Sequence, residues 1–174
     1  AAKLAFFLLN ANKAYVMNFA RALSDLHEKV HECSLCHGMT DTENIHCKIC
    51  RDPKREKWEI CVVEDYLDLL SIERTAIYHG YYHVLGWVIS PIQWITPDKL
   101  NFDSLFERVT GEREIQELIL AMNPNIEWEA TALYIIEHIP RNMTITRLSK
   151  GLPHAGTIEY ADEITLLSAF KWRV

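Results

Sequence analysis

The sequence contains no apolar run that approaches the roughly 18–20 residues needed to span a bilayer. No small-residue cleavage site follows the short apolar stretch 4–9, so we expect neither a secretory signal peptide nor a membrane partner. With 18 Lys and Arg against 24 Asp and Glu, the formal net charge is −6. That balance argues against a protein that coats nucleic acid through bulk positive charge.

The length and composition are those of a soluble globular protein. The chain has 174 residues, of which 49% are hydrophobic and 24% are charged. It is long enough for one ordinary domain plus a small appendage, and no internal repeat or low-complexity tract interrupts it. It begins at Ala1 without a Met, within sequence that already looks helical, so we expect a truncated N-terminus.

Four of the five cysteines lie within residues 33–50, as two C-x2-C pairs with ten residues between them. Two such pairs can present four thiolates in a tetrahedron to a borderline-soft ion such as zinc. Disulfides would require an oxidising compartment, for which the sequence carries no address, and redox motifs come as a single pair. We therefore expect one zinc ion, although a rubredoxin-like iron site has the same ligand set. The expected ligands are Cys33, Cys36, Cys47 and Cys50.

With all four coordination positions taken by protein, such a metal organises structure and has no room for an activated water. The nearby imidazoles of His31, His37 and His46 are not needed as ligands, and we interpret them as surface groups. Cys61 lies in the apolar run EICVVE and is expected to be a buried small hydrophobe.

A basic stretch, KICRDPKREK at residues 48–57, holds five basic and two acidic residues at the end of the cysteine pairs. One interpretation is an exposed, solvated loop. The other is a small phosphate-contacting patch, since each Lys or Arg near a phosphate releases condensed counterions. The nucleic-acid contacts would then be Lys3, Lys48, Arg51, Lys54 and Arg55.

The hydrophobic pattern predicts helix before the cysteines and alternating strands and helices after them. Helical spacing relates Val16, Ala20, Leu23, Leu26 and Val30. We predict strands at 59–64, 81–89, 117–122 and 143–148, and helices at 67–78, 98–109, 127–139 and 161–170. This alternation indicates an α/β fold, with a mostly parallel sheet covered by helices on both faces.

Acidic and amide side chains follow two of the predicted strands, where ligands bind in such sheets. Carboxylates at adjacent strand ends can hold magnesium for phosphoryl transfer, but acids at helix N-termini are also favoured simply by the helix dipole. The two strands are those predicted at 59–64 and 117–122, and Asp65 and Asn125 also follow them. We define the acidic edge as Glu64, Asp68, Asn123, Glu127 and Glu129.

Several segments together resemble the RecR family of bacterial recombination mediators. They include CSLC, CKICRD, ICVVE, DLLSIERT, ITRLSKGLP and IEYADEITL, in the family's order over nearly the whole chain. The resemblance implies a zinc module joined to a Toprim domain, in a cytoplasmic, ring-like oligomer without catalytic activity. It also implies that the protein binds RecO or RecF and helps load recombinase onto single-stranded DNA at gaps. The implied units are a helical segment 1–31, a zinc module 32–57, a Toprim domain 58–147, and a C-terminal segment 148–174 with an oligomer-contact loop.

Toprim enzymes pair a strand-end glutamate with an Asp-x-Asp motif that holds magnesium. Here Glu64 matches the glutamate, but Asn123 and Asn125 occupy the Asp-x-Asp positions, and neutral amides do not offset a divalent charge. We therefore expect no catalysis and interpret the acidic edge as a surface for a basic partner. The alternative is a magnesium-dependent Toprim nuclease or primase-like enzyme in which Asp65 or Glu127 supplies the missing carboxylate. A third interpretation is a zinc-stabilised interaction domain without a nucleic-acid role.

The chain departs from the family pattern in two respects. Its start, AAKLAFFLL, resembles only the last helix of the family's helix-hairpin-helix element, so we expect weaker DNA binding and an incomplete ring. Four positions that are glycine in the family pattern hold Trp87, Trp94, Trp128 and Trp172. We expect backbone strain there, greatest at Trp128, unless the source reads UGA codons as glycine.

Overall fold

The computed structural model describes residues 2–41, 43–111, 114–123, 125–148, 159, 161 and 163–171. The helices are α1 Ala2–Asn10, α2 Lys13–Lys29, α3 Lys48–Arg51, α4 Tyr66–Glu73, α5 Phe102–Gly111, α6 Ile126–His138 and α7 Glu163–Lys171. The strands are β1 His31–Glu32, β2 Met39–Thr40, β3 Glu56–Val63, β4 Gly80–Val84, β5 Glu117–Leu120 and β6 Thr144–Arg147. Within those residues, no helix combines the length and the apolar character needed to cross a membrane.

The four longer strands form one parallel sheet in the order β4-β3-β5-β6. Ile60 of β3 pairs with Tyr81 on one side and Leu118 on the other, and Leu118 pairs with Ile145. All of β4 and the last five residues of β3 are buried. The structure thus confirms the α/β fold predicted from the alternation of strands and helices.

Helices cover both faces of this sheet, because successive side chains of a strand point in opposite directions. Ile60 and Val62 pack into a large apolar cluster with residues of α5 and α6. Cys61 and Val63 pack on the other side, in a smaller cluster with Leu69 of α4. Cys61 is 2% exposed, which confirms its interpretation as a buried small hydrophobe.

Three elements begin or end four or five residues away from the predicted bounds, each for a local reason. The second strand of the sheet ends at Val84, since Gly86 turns the chain with φ 90°. The helix predicted to reach residue 78 ends at Glu73, and Ala76 adopts a left-handed φ of 53°. The helix predicted from residue 98 begins at Phe102, because Pro97 opens a separate 3-10 turn.

The two N-terminal helices bury none of their described side chains. Asn12 caps α2, its side-chain oxygen accepting a 2.8 Å hydrogen bond from the Tyr15 amide. The predicted apolar face of α2 is present, yet Leu23 and Leu26 are 51% and 58% exposed. Phe6 of α1 is 67% exposed. The described part of the chain therefore leaves these apolar side chains uncovered.

The tryptophans at the expected glycine positions differ from one another. Trp94 has φ 57° and ψ 33°, the left-handed conformation that favours glycine, which agrees with the expected strain. The expectation for Trp128 is wrong, because this residue lies in regular helix α6 and is 1% exposed within the core. Trp87 is not among the described residues with positive φ, and Trp172 lies outside the described residues.

Candidate metal centre and acidic edge

The two C-x2-C pairs meet at one point. The sulfur atoms of the four cysteines all lie within 4.8 Å of one another, and those of Cys36 and Cys47 are 3.7 Å apart. A tetrahedron with metal–sulfur bonds of about 2.3 Å places its sulfurs about 3.8 Å apart, so this spacing fits one metal ion. Three of the cysteines are buried and Cys50 is half-buried, which closes the site to substrate.

Backbone amides fold each cysteine pair into a knuckle. In the first knuckle, Cys33–Gly38, the Cys33 amide donates to the Gly38 carbonyl at 2.8 Å, and the Gly38 amide donates to Cys36 Sγ at 3.4 Å. In the second knuckle, Cys47–Cys50, the Cys47 sulfur caps α3 by accepting from the Cys50 amide at 3.4 Å. Amide donors of this kind stabilise thiolates and fix their direction.

Hydrogen bonds among Cys36, Cys47 and Cys50 shift the pKa values of these three thiols. The pKa of Cys47 is lowered, first by a hydrogen bond from Cys36 and then by one from Cys50. The pKa values of Cys36 and Cys50 are raised, chiefly because their protons are held in these hydrogen bonds and then by burial. A divalent cation that enters the cluster must therefore displace protons, so metal binding is coupled to pH.

Of the three nearby histidines, His31 is on the surface as the sequence suggested, and the other two are less exposed than expected. His31 is exposed and contacts the Asn44 carbonyl at 3.2 Å. The interpretation of His37 as a surface group is wrong: its side chain is 18% exposed, and Nε2 lies 2.8 Å from Ser104 Oγ. His46 is half-buried as well. The contact of His37 with α5 could not be predicted from the sequence, because no neighbouring residue indicates it.

Glu64 directly follows β3 and accepts two hydrogen bonds on one carboxylate oxygen. Trp128 Nε1 donates to Oε2 at 2.7 Å, and Asn123 Nδ2 donates to the same oxygen at 3.3 Å. The structure therefore brings Glu64 and Asn123 together, as the parallel sheet predicts. It adds Trp128, whose indole is a neutral donor to the carboxylate.

Two further polar side chains at this end of the sheet cap helices. Asp65 Oδ1 accepts from the amides of Leu67 at 2.7 Å and Asp68 at 3.0 Å, at the start of α4. Asn125 Oδ1 accepts from the Trp128 amide at 2.8 Å, at the start of α6. Both side chains satisfy backbone donors that would otherwise lack a helical partner.

The remaining members of the acidic edge do not converge. Glu129 is exposed and pairs with Arg147 at 2.8 Å. Asp68 and Glu127 are half-buried, and the pKa of Asp68 is raised, first by burial and then by the charge of Asp65. In the described ranges, the four cysteines are the only group of three or more Cys, His, Asp or Glu ligands close enough to hold a metal.

In the basic stretch, one arginine forms contacts within the fold and several other basic side chains are exposed. Arg55 is 11% exposed, pairs with Glu73 and donates to the Gly80 carbonyl at 3.3 Å. The structure thus contradicts the interpretation of Arg55 as a phosphate contact, since its guanidinium joins residues 52–56 to α4 and β4. The exposed basic residues remain predicted contacts, namely Lys3, Lys48, Arg51 and Lys54.

Comparison with known proteins agrees with this architecture. The Toprim domain family matches residues 58–149. The recombination protein RecR of Myxococcus xanthus is 42% identical over 174 residues, which cover 99% of this chain and 87% of the relative. Its counterparts from Natranaerobius thermophilus and Thermobifida fusca are 44% and 45% identical, each over 99% of this chain and 86% of the relative. The chain has a parallel Toprim sheet, a four-cysteine cluster and this degree of identity to those proteins, and it therefore belongs to the RecR family of recombination proteins.

Proposed function

We propose that the protein is a non-catalytic mediator of DNA repair and recombination that binds DNA and partner proteins and helps load recombinase on single-stranded gaps. The names of its relatives support the recombination role. The observation that supports the binding role is the hydrogen bonding of Glu64, whose Oε2 accepts from the Trp128 indole and the Asn123 amide. A carboxylate held by two neutral donors suits a protein surface better than a magnesium site.

The hydrogen bonds of the neighbouring side chains also favour binding over catalysis. In the alternative, a Toprim nuclease or primase-like enzyme, Asp65 or Glu127 would replace the carboxylates absent at Asn123 and Asn125. Asp65 Oδ1 is already the acceptor for two amides of α4, and Asn125 is the acceptor at the start of α6. Recruiting Asp65 to a metal would cost a helix cap, worth roughly 0.5–2 kcal/mol.

We assign the acidic edge to a basic protein partner, with RecO and RecF as the candidates that the family implies. Asp68 on α4 and Glu127 on α6 offer half-buried carboxylates, and complementary potentials would steer a basic surface toward them. The exposed Lys48, Arg51 and Lys54 are assigned to DNA phosphates, and Lys3 on α1 is a further predicted phosphate contact. The four cysteines hold zinc in this proposal, since four thiolates suit that ion and close its coordination.

We further propose that the protein acts in the cytoplasm as a homo-oligomer. The uncovered apolar side chains of α1 and α2 support self-association, because exposed apolar patches commonly mark interfaces. The apolar residues concerned include Phe6, Phe7, Leu23 and Leu26. Sedimentation velocity of the chain and of Phe6→Ser/Phe7→Ser tests this, and an unchanged mass distribution would contradict it.

A labelled gapped duplex with magnesium tests the function. We expect salt-dependent binding and an intact strand for both the wild type and Glu64→Gln. Lys54→Gln should reduce the slope of log K against log salt by about 1, whereas Lys99→Gln, a cation in a different loop, should leave the slope unchanged. Cleavage that Glu64→Gln abolishes would favour the enzyme. Absence of salt-dependent DNA affinity would leave a zinc-stabilised interaction domain.

A further inference from the structure

The first knuckle closes the free edge of the sheet. β4 is an edge strand, and the Val84 amide donates to the Cys36 carbonyl at 2.8 Å. The next two amides point toward β3, where Leu85 donates to the Val63 carbonyl and Gly86 to the Glu64 carbonyl, each at 3.0 Å. The knuckle is therefore hydrogen-bonded to Val84 of the segment 84–86, and Gly86 of this segment is hydrogen-bonded to the backbone of Glu64.

A side-chain contact joins the same knuckle to α5. His37, between the knuckle residues Cys36 and Gly38, has φ 58° and places Nε2 2.8 Å from Ser104 Oγ. Its ring meets that of the fully buried His83 edge to face, with centroids 5.3 Å apart. This side-chain contact lies one residue from the backbone bond at Val84 and adds to it.

A third contact joins the knuckle to the start of α4. A Cβ added to Gly38 would lie 3.3 Å from the ring of Tyr66, a crowded distance, so glycine favours this close approach. Tyr66 is the first residue of α4 and follows Glu64 and Asp65 directly. The end of β4, helix α5 and the start of α4 thus all contact one six-residue turn.

We infer that metal binding at the four cysteines and ordering of the acidic edge are thermodynamically linked through the first knuckle, with Ser104 and Tyr66 as positioning residues. An ion bound by all four thiolates would fix the knuckle in the shape that makes these three contacts. Linkage is reciprocal, so contacts made by α4 and α5 must also raise the affinity for the ion. The inference rests on the proposed metal-binding role of the four cysteines.

Ser104→Ala tests the linkage at a position 54 residues beyond the last cysteine of the cluster in the sequence. We expect the zinc-loaded full chain to release its ion to a coloured chelator roughly three- to tenfold faster than the wild type, as for loss of the hydrogen bond to His37. The substitution also removes the 3.2 Å bond from Ser104 Oγ to the Asn101 carbonyl, a local bond at the start of α5. Ser104→Thr should restore the wild-type rate. Ser71→Ala is the matched control, since Ser71 Oγ bonds only within α4, to the Leu67 carbonyl.

Hydrogen exchange supplies a second readout on the unaltered chain. After the ion is removed, we expect the amides of Val84, Leu85 and Gly86 to exchange at least tenfold faster, with Ile145 and Arg147 of β6 much less affected. Wild-type release from Ser104→Ala, or equal acceleration in β4 and β6, would overturn the linkage while leaving the metal site intact. A chain that binds no zinc would overturn both the linkage and the proposed metal.

Discussion

The cysteine cluster and the acidic edge use ligand-type side chains in opposite ways. Four sulfurs converge within 4.8 Å in a largely buried site. At the edge, Glu64 accepts from neutral donors, Asp65 caps α4, and Glu129 pairs with Arg147. Convergent ligands stabilise one ion, whereas dispersed carboxylates create a field over a surface. Both kinds of residue attract cations, and the fold decides which cation each one meets.

Cys36→Ser should have the largest effect of any single substitution in either region. Loss of one thiolate should abolish stoichiometric metal binding and much of the stability, because structural zinc contributes an apparent binding energy of roughly 10–16 kcal/mol. Native mass spectrometry measures the metal content, and thermal melting measures the stability. Cys61→Ala is the control, since this buried cysteine lies in the sheet and should keep the metal. A Cys36→Ser protein that retains one ion per chain would remove the contrast.

Acid should affect the two regions with opposite sign. Burial lowers the pKa of His83 to about 3, so its contribution to stability is present above the ordinary value near 6.5 and is lost as pH falls toward 3. The loss should reach at most about 1.4 kcal/mol per pH unit. Burial raises the pKa of Asp68, so that group favours the folded state below its ordinary value, and this contribution fades as pH rises.

Denaturant unfolding from pH 7 to pH 4 separates these contributions. His83→Gln should flatten the slope between pH 6.5 and pH 4, because glutamine has no proton to gain in the unfolded state. Asp68→Asn should leave that slope and change only the range near the carboxyl pKa. An unchanged slope in His83→Gln would mean that His83 does not carry the acid sensitivity.

Glu64→Leu tests the hydrogen bonds of the acidic edge and should have an effect of intermediate size on the free energy of unfolding. The buried indole of Trp128 would lose its acceptor, which should cost about 1–3 kcal/mol in the free energy of unfolding. Glu64→Gln keeps an acceptor oxygen and should cost less. Asn123→Ala removes an exposed donor at 3.3 Å and should cost least. If Glu64→Leu and Asn123→Ala cost the same, Glu64 is not a structural acceptor.

Local patterns in the sequence predicted the fold class and the metal cluster. The periods of strands and helices and the two C-x2-C turns are properties of neighbouring residues, so they can be recognised without knowledge of the tertiary structure. The membership of the acidic edge followed from strand ends, but its hydrogen bonds did not. Trp128 and Glu64 are 64 residues apart, and His37 and Ser104 are 67 apart. Asn125, a good N-cap three residues before Trp128, was the signal that this tryptophan needs no glycine-like backbone.

The smallest expected effect concerns two residues with left-handed backbone, one in the first knuckle and one in a loop outside it. His37 and Trp94 have φ 58° and 57°, a conformation that costs a non-glycine residue roughly 1 kcal/mol or more. Trp94 is 80% exposed, so Trp94→Gly should raise the melting temperature by about 2–4 °C. His37→Gly relieves the same backbone but loses the contact with Ser104, so it should release metal faster and gain no stability. Equal gains from the two substitutions would show that the His37 side chain contributes nothing to the contact between the knuckle and α5, because backbone relief alone would then explain both.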